Sequence, residues 1–528
     1  MPSSSAIIHT IIIPEVPFIS QSILLFFFLL LLRRKYENMY VIGDRPAPTP
    51  RSACSSSSDD DYNDNCQITI DNSENILKVL KKLWQEQSMC DIFLKVGNKQ
   101  YGAHRFILCA TSDVFQAMLM NSAWSEWKES HIELQELQIC ENVFYTFLEY
   151  FYTGKILITH TNVMPILALA DKYLVKSLTR MCTMYMCRHI PHAAYHNQLS
   201  SWLQYSNICG HERILNCCRN YFKWNFEAVA NTSDYSNFDC DTFINIIHAN
   251  DIVVHNEIML YNCIVRWLDL QRIKLGNTED SLKMYINLVE SVMMYVRFPM
   301  MTPRELADLL LSPLIKQHKD FFLDRMAIGM KYHSSEYSEE LHPYYEKEGH
   351  LFTPRLYTSE SYSASLNIEN FWDIQSYHTS TFVFSSHLSA ADHESHKMSE
   401  WVVELYPKGV HFKKCLWIVW QGTLEVPEEI LRTVRLSLTC RDSPVPDEMR
   451  VKVSVLIYGV QGGVEHVMEV IERVHHFTPQ HKILNIDDLL PFHELNTKAS
   501  LQPVHETPYL IGPTKDQLKL NIVITPIK

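Results

Sequence analysis

The chain of 528 residues is long enough for several domains, and its 46% hydrophobic and 11% aromatic content supplies more than one core. A formal net charge of -13 excludes a protein built to neutralise nucleic-acid phosphates. The 14 cysteines lie mostly singly in apolar runs, as at Cys109, Cys140, Cys209 and Cys263, where they act as small hydrophobes, so the chain reads as one kept in a reducing compartment.

The amino terminus carries "FISQSILLFFFLLLLRRK", about seventeen largely apolar residues from Val16 to Leu32, against the roughly twenty a spanning helix needs. No Lys or Arg precedes this run, whereas Arg33, Arg34 and Lys35 follow it, the reverse of a secretory signal. Two readings stay open: a membrane tether through residues 16–32, or an upstream extension before a later start at Met39. From Asp44 to Asn65 the composition turns to Pro, Ser and Asp, which bury too little apolar area to offset the entropy of ordering, so this stretch reads as a linker.

The first folded unit opens with "DNSENILKVLKKLWQEQ". Asn72 or Ser73 is placed to cap a helix whose apolar face is Ile76, Leu77, Leu80, Leu83 and Trp84. A helix this short with so much apolar surface needs a partner. Next, Ile92–Val96 and Gln100–His104 read as a hairpin around Gly97-Asn98. Two short helices follow, the second capped by Thr111 or Ser112, then a strand "HIEL" and an amphipathic helix in "ENVFYTFLEYFYTGK" ended by Gly154.

In "CDIFLKVGNKQYGAHRFILCATSDVFQAML", "FLEYFYTGKI" and "LALADKYLVKSL" this region, residues 67–188, closely resembles the BTB/POZ fold, an α/β module that dimerises and recruits partners. The resemblance implies that Asp91, His104 and Arg105 lie near a charged pocket of the dimer, and that Ile76, Leu77, Leu80, Leu83 and Trp84 face the dimer seam. It also implies a cullin-3 contact. Relatives that bind cullin-3 carry a hydrophobic-x-Glu motif here, matched by Trp124 and Glu126 with one residue inserted before Trp124, and Tyr152 matches a second position of that interface; the alternatives are a surface loop whose Trp124 and Trp127 cover the domain's edge, and a Tyr152 that packs the core.

Residues 189–333 are helical by period, with apolar residues at three- and four-residue steps and Pro303 at a helix start. The stretch from Glu257 to Trp267 and "VRFPMMTPREL" resemble the BACK domain, an all-α spacer. A polar and aromatic linker, residues 334–360, carries Tyr337, Tyr344, Tyr345 and Tyr357. From residue 361 the period becomes two: "STFVFSSHL", "EWVVELYP", "KKCLWIVWQGTL", "VRLSLTC" and "VKVSVLIYGV" mark an antiparallel β-sandwich. Trp401 and Tyr406-Pro407-Lys408-Gly409 in it resemble the TRAF-like (MATH) sandwich, with Trp401 expected in the core. The fold class is therefore multidomain α+β.

No nucleophile elbow, phosphate loop, dinucleotide fingerprint or HExxH motif occurs, so the chain reads as a non-enzyme with no cofactor. Cys182, Cys187, His189 and His192 fit no strong zinc spacing and read as helix residues, while His393, His396, His475 and His476 read as solvated loop residues. The function implied by the resemblance is a homodimeric adaptor. Its amino-terminal half would meet cullin-3, its sandwich would read a protein or peptide client, and nucleic acid is not a partner. The body is expected in the cytoplasm, membrane-associated if the tether is real. Alternatives are a scaffold without ligase role, or a secreted or surface binding protein, to which the one glycosylation acceptor at Asn231 lends little.

Overall fold

The computed structural model describes residues 71–276, 278–334, 342–391, 398–410, 418–419, 422–423, 432–441, 449–497 and 507–527. The apolar run at 16–32, Met39, Tyr337, His393 and His396 lie outside the described residues. The chain divides into two compact units. One holds the residues up to Cys187 together with Gln204–Ile214, and the other holds Arg188–Leu203 and everything from Leu215.

The first unit starts with α1 (Ser73–Glu86). Its first turn is closed by Asp71, whose carboxylate accepts the Ser73 N–H at 2.9 Å, while the Asn72 side chain makes no cap to the backbone. Then come β1 (Ile92–Val96), β2 (Lys99–Ala103), α2 (Arg105–Thr111), α3 (Asp113–Met120), β3 (His131–Leu134), α4 (Gln138–Thr153), α5 (Val163–Lys172) and α6 (Lys176–Arg188). The sheet order is β2-β1-β3, with β1 antiparallel to β2 and parallel to β3. Strand β2 ends one residue earlier than the alternation suggests, because His104 leaves the sheet and gives its N–H to the Tyr152 hydroxyl at 3.0 Å. Ser112 caps α3, accepting from the Phe115 N–H, and Gly154 ends α4 in the left-handed conformation at φ 63. The core is strongly aromatic: Tyr173 lies 4.6 Å from Phe115 and 5.7 Å from Phe147, ring centre to ring centre. Asp171 draws residues 204–214 into this unit, accepting from the Tyr205 hydroxyl at 2.9 Å and bonding His211 Nε2 at 2.7 Å.

Helices follow in chain order: α7 (Ile190–Tyr195), α8 (Leu199–Cys209) and α9 (Glu212–Trp224), of which Gln204–Ile214 belong to the first unit, then α10 (Phe226–Ala230) and α11 (Cys240–His248) in the second. The short strand β4 (Val253–Val254) leads into α12 (Glu257–Leu275), α13 (Glu279–Met293), α14 (Pro303–Leu309), α15 (Pro313–Gln317), α16 (Lys319–Ser334) and α17 (His342–Glu348). Pro303 opens α14 behind a capping box of Thr302 and Glu305.

The sequence pattern expects a linker from 334, but its described part is ordered: Tyr344 and Tyr345 lie on α17, and Tyr357 is buried in β5 (Leu356–Tyr357). The apolar side chains of Leu351 and Phe352 pack with Tyr332 and Tyr345, which fixes the segment.

The sandwich follows with β6 (Ser363–Ile368), β7 (Ser380–His387), β8 (Met398–Tyr406), the two-residue pair β9 (Ile418–Val419) and β10 (Gly422–Thr423), β11 (Arg435–Cys440), β12 (Met449–Gln461), β13 (Val464–Phe477), β14 (Ile483–Ile486), α18 (Phe492–Asn496) and β15 (Leu518–Pro526). One sheet runs β14-β11-β8-β7 and the other β13-β12-β15-β6. Alternate residues of both meet in one core, including Trp401, Val403, Leu438, Val453 and Ile522. Trp401 is 0% exposed and its indole N–H bonds Ser386 Oγ at 2.9 Å. His475 and His476 are in strand β13, opposite Val451 and Arg450, not in a loop as their polar neighbours suggested; as successive strand residues they face opposite sides, His476 exposed and the half-buried His475 ring 4.5 Å from that of the core residue Phe477. Lys408 fixes the turn after β8, donating to the Ile374 carbonyl at 2.6 Å, and Gly409 takes φ 93, open to glycine.

Candidate interaction surfaces

Helix α1 splits its apolar residues between two environments. Trp84 is 1% exposed, stacks on Tyr152 at 5.0 Å and meets Tyr145 at 5.4 Å, so its surface is used within its own domain. Ile76, Leu77 and Val79 stay 59%, 45% and 58% exposed, with Leu80 and Leu83 half-buried. An open groove of about 670 Å³ borders this helix, lined by Leu77, Lys78, Lys81, Ile156 and Leu157 among others.

Asp91, His104 and Arg105 come together as the sequence suggests, but they bond inward. The Asp91 carboxylate accepts the Arg105 N–H at 2.8 Å at the head of α2. His104 Nε2 donates to the Ser88 carbonyl at 3.0 Å, and its Nδ1 is hydrogen-bonded to the Tyr152 hydroxyl at 3.0 Å. Tyr152 is 1% exposed, and burial pushes its phenol up to about 12. Of the two places the sequence left open for Tyr152, a partner interface or the core, the structure has its ring and hydroxyl engaged inside the domain.

The Arg105 guanidinium reaches across to a loop. It donates to the carbonyls of Leu119 at 3.4 Å, Trp127 at 3.1 Å and Glu129. That loop joins α3 to β3 and carries Trp124 and Glu126 around a tight turn at Ser125–Trp127. Both side chains are half-buried, and Glu126 Oε2 accepts from Ser125 Oγ at 2.8 Å. The clamp went unread in the sequence because main-chain acceptors leave no residue signature. Cys182 is 0% exposed in α6 with its thiol pushed up to about 12 by burial, which suits a core residue and disfavours the thiolate a metal needs.

The sandwich presents two outward faces. That of the β13-β12-β15-β6 sheet is occupied: Leu456, Val467 and Val523 pack against Val253 and Leu356, with Trp224 beside them. On the β14-β11-β8-β7 sheet, the pairing registers align Val383, Val402, Thr439 and Ile483 in one row across all four strands. Val383 and Ile483 are 51% and 54% exposed. The row runs between Glu400, paired with Arg441 at 3.3 Å, and Glu404, which accepts from the Tyr406 hydroxyl at 2.8 Å.

An α/β module, a helical module and a sandwich, with surfaces suited to proteins, point to a protein-interaction adaptor. Comparison with known families agrees: residues 80–190 match the BTB/POZ domain, 199–311 match BACK (BTB And C-terminal Kelch), and 352–528 match the BTBD17 TRAF domain. The chain therefore carries a BTB/POZ domain, a BACK domain and, at its carboxyl end, a TRAF domain of the BTBD17 type. It is similar to BTB/POZ domain-containing protein 17 of Xenopus laevis, 25% identical over 350 residues covering 65% of this chain and 69% of that protein. It is likewise similar to the Homo sapiens protein of that name, at 25% identity over 64% of this chain and 67% of the relative. Kelch repeat and BTB domain-containing protein 8 of Mus musculus is 24% identical over 49% of this chain and 40% of its own length.

Proposed function

We propose that the protein is a non-enzymatic homodimeric adaptor, built as a BTB domain at 67–188, a BACK domain at 189–333 and a sandwich from 361, that places a client on a cullin-3 ubiquitin ligase. The observation that carries the reading is the α1 face: Ile76, Leu77 and Val79 are 59%, 45% and 58% exposed as neighbours on one helix whose Trp84 is anchored in the domain, and a second copy is the partner such a face fits. The half-buried Trp124 beside Glu126, on a loop pinned by Arg105, is suited to a hot spot in which an indole enters a partner's pocket next to a carboxylate. The Val383, Val402, Thr439 and Ile483 row is the client face, since the opposite sheet is already packed. It would take an extended peptide with small apolar side chains.

Among the described residues no helix is long and apolar enough to cross a membrane, and we place the body of the chain in the cytosol. Size-exclusion light scattering of the full chain with the amino-terminal half of cullin-3 tests the assembly. Two copies of each in one complex is the expected result, and a monomer that ignores cullin-3 would refute it.

A further inference from the structure

Strand β5 belongs to neither sandwich sheet. Leu356 and Tyr357 instead pair in parallel with Val253 and Val254 of β4, just ahead of α12 in the helical module. At this seam the side chain of Glu257, the first residue of α12, is fully buried. One carboxylate oxygen accepts Arg355 Nε at 3.2 Å and the Tyr357 hydroxyl at 2.6 Å, and the other accepts the Arg297 N–H at 2.8 Å.

The two arginines complete the lock. Arg355 donates to the carbonyls of Ala249 and Tyr295 at 2.6 and 2.9 Å, while Arg297 donates to the Thr353 carbonyl at 2.6 Å and to Asn250. The buried carboxylate thus holds the Arg355 guanidinium and the Arg297 main chain, and burial followed by the Arg355 charge holds the Arg297 guanidinium down to about 10. Elsewhere on the same seam, Asn225 at the end of α9 grips β13 with both ends of its amide: Nδ2 donates to the Val467 carbonyl at 3.1 Å, and Oδ1 accepts the Val467 N–H at 2.9 Å. Between these two points Val253 and Leu356 share an apolar cluster with Leu456, Val467 and Val523.

We propose that the BACK and TRAF-like modules are one cooperative body locked by Glu257, so that the sandwich is a fixed arm of the BACK domain and not a head on a tether. Neither module satisfies its half of the seam alone. Without residues 353–357 the Glu257 carboxylate is a buried charge that has lost its ion-pair partner Arg355, and without Glu257 the buried Arg355 has lost its own. The parallel pair of two-residue strands is far too short to persist by itself, and it is held from both sides. A client bound to the sandwich would therefore be held at a set position on the BACK domain, which does not depend on which peptide the sandwich reads or on whether cullin-3 is bound.

Native-state hydrogen exchange of the full chain in rising denaturant tests this. Amides of α12, β12 and β15 are expected to open together with one denaturant dependence. Glu257→Gln should speed exchange in all three by roughly tenfold or more, because hydrogen bonds to the charged carboxylate are lost, with β1–β3 unchanged. Separate openings for α12 and for the strands, or acceleration confined to α12, would overturn the proposal. If Glu257→Gln does not fold, Asn225→Ala gives the same decision: joint acceleration supports one body, and acceleration on one side of the seam refutes it.

Discussion

Arg105 and Trp127 are joined by a 3.1 Å hydrogen bond from the guanidinium to the main-chain carbonyl, and this ties the start of α2 to the loop that presents Trp124 and Glu126. The His-Arg pair therefore serves the neighbouring surface by shaping a loop. Replacing Arg105 with Ala should lower stability by about 1–3 kcal/mol, as carbonyls lose a charged donor, and should speed amide exchange in the loop after α3. Unchanged exchange there would show that the clamp does not hold the loop.

Tyr152 and His104 make a second testable pair. Tyr152→Phe removes the acceptor of the His104 N–H and the hydroxyl bonded to its Nδ1, so a loss of about 1–3 kcal/mol is expected. Cullin-3 binding should survive, because the ring is covered. The alkaline limit has a definite sign: the folded phenol sits at about 12, raised by burial from an ordinary 10.0, so the neutral form stabilises the fold fully below pH 10 and that contribution fades as pH rises towards 12. Unfolding monitored by near-ultraviolet circular dichroism between these pH values should show a smaller decline in the Phe variant; an equal decline would assign the effect to other groups.

Charge on the exposed side of α1 tests dimerisation. Ile76→Asp with Leu77→Asp should give a monomer in light scattering, with a melting temperature close to that of the wild-type monomer fraction, since exposed positions rarely shift stability beyond about 0.5 kcal/mol. A dimer that persists would move the seam away from α1.

On the sandwich, Val402→Lys puts a charge in the middle of the Val383 to Ile483 row without touching the core side of β8. Peptides captured by the full chain on an array should be lost, while the near-ultraviolet spectrum of the buried Trp401 stays the same. Capture that is indifferent to this change would place client reading elsewhere.

Much of the architecture was legible because it rests on local patterns. Ser112 before an apolar run caps α3, Gly154 ends α4, Pro303 begins α14, and Trp401 sits in a strict alternation that places it in the core. What stayed hidden depends on distance in sequence. Trp84 and Tyr152 lie far apart along the chain, so nothing local told that they stack and use up one another's surface. The four-strand row needs the registers of β7, β8, β11 and β14 together. Arg297 and Arg355 left a trace, as lone cations inside apolar stretches, but their meeting at Glu257, through the Arg297 main-chain N–H and the Arg355 guanidinium, emerges only in the folded chain. His475 and His476 misled because two adjacent polar residues near the end of a long strand look like a loop.

The measurement that bears most directly on the adaptor account is binding of the full chain to the amino-terminal half of cullin-3, compared with a Trp124→Ala, Glu126→Ala double variant. Losing an indole anchor and its neighbouring carboxylate should weaken binding by about 2 kcal/mol or more, some thirtyfold. Dimer formation and the melting curve should not change. Equal binding by the double variant would remove this surface from the contact, and no binding by the wild-type chain would contradict the ligase role and leave a dimeric scaffold.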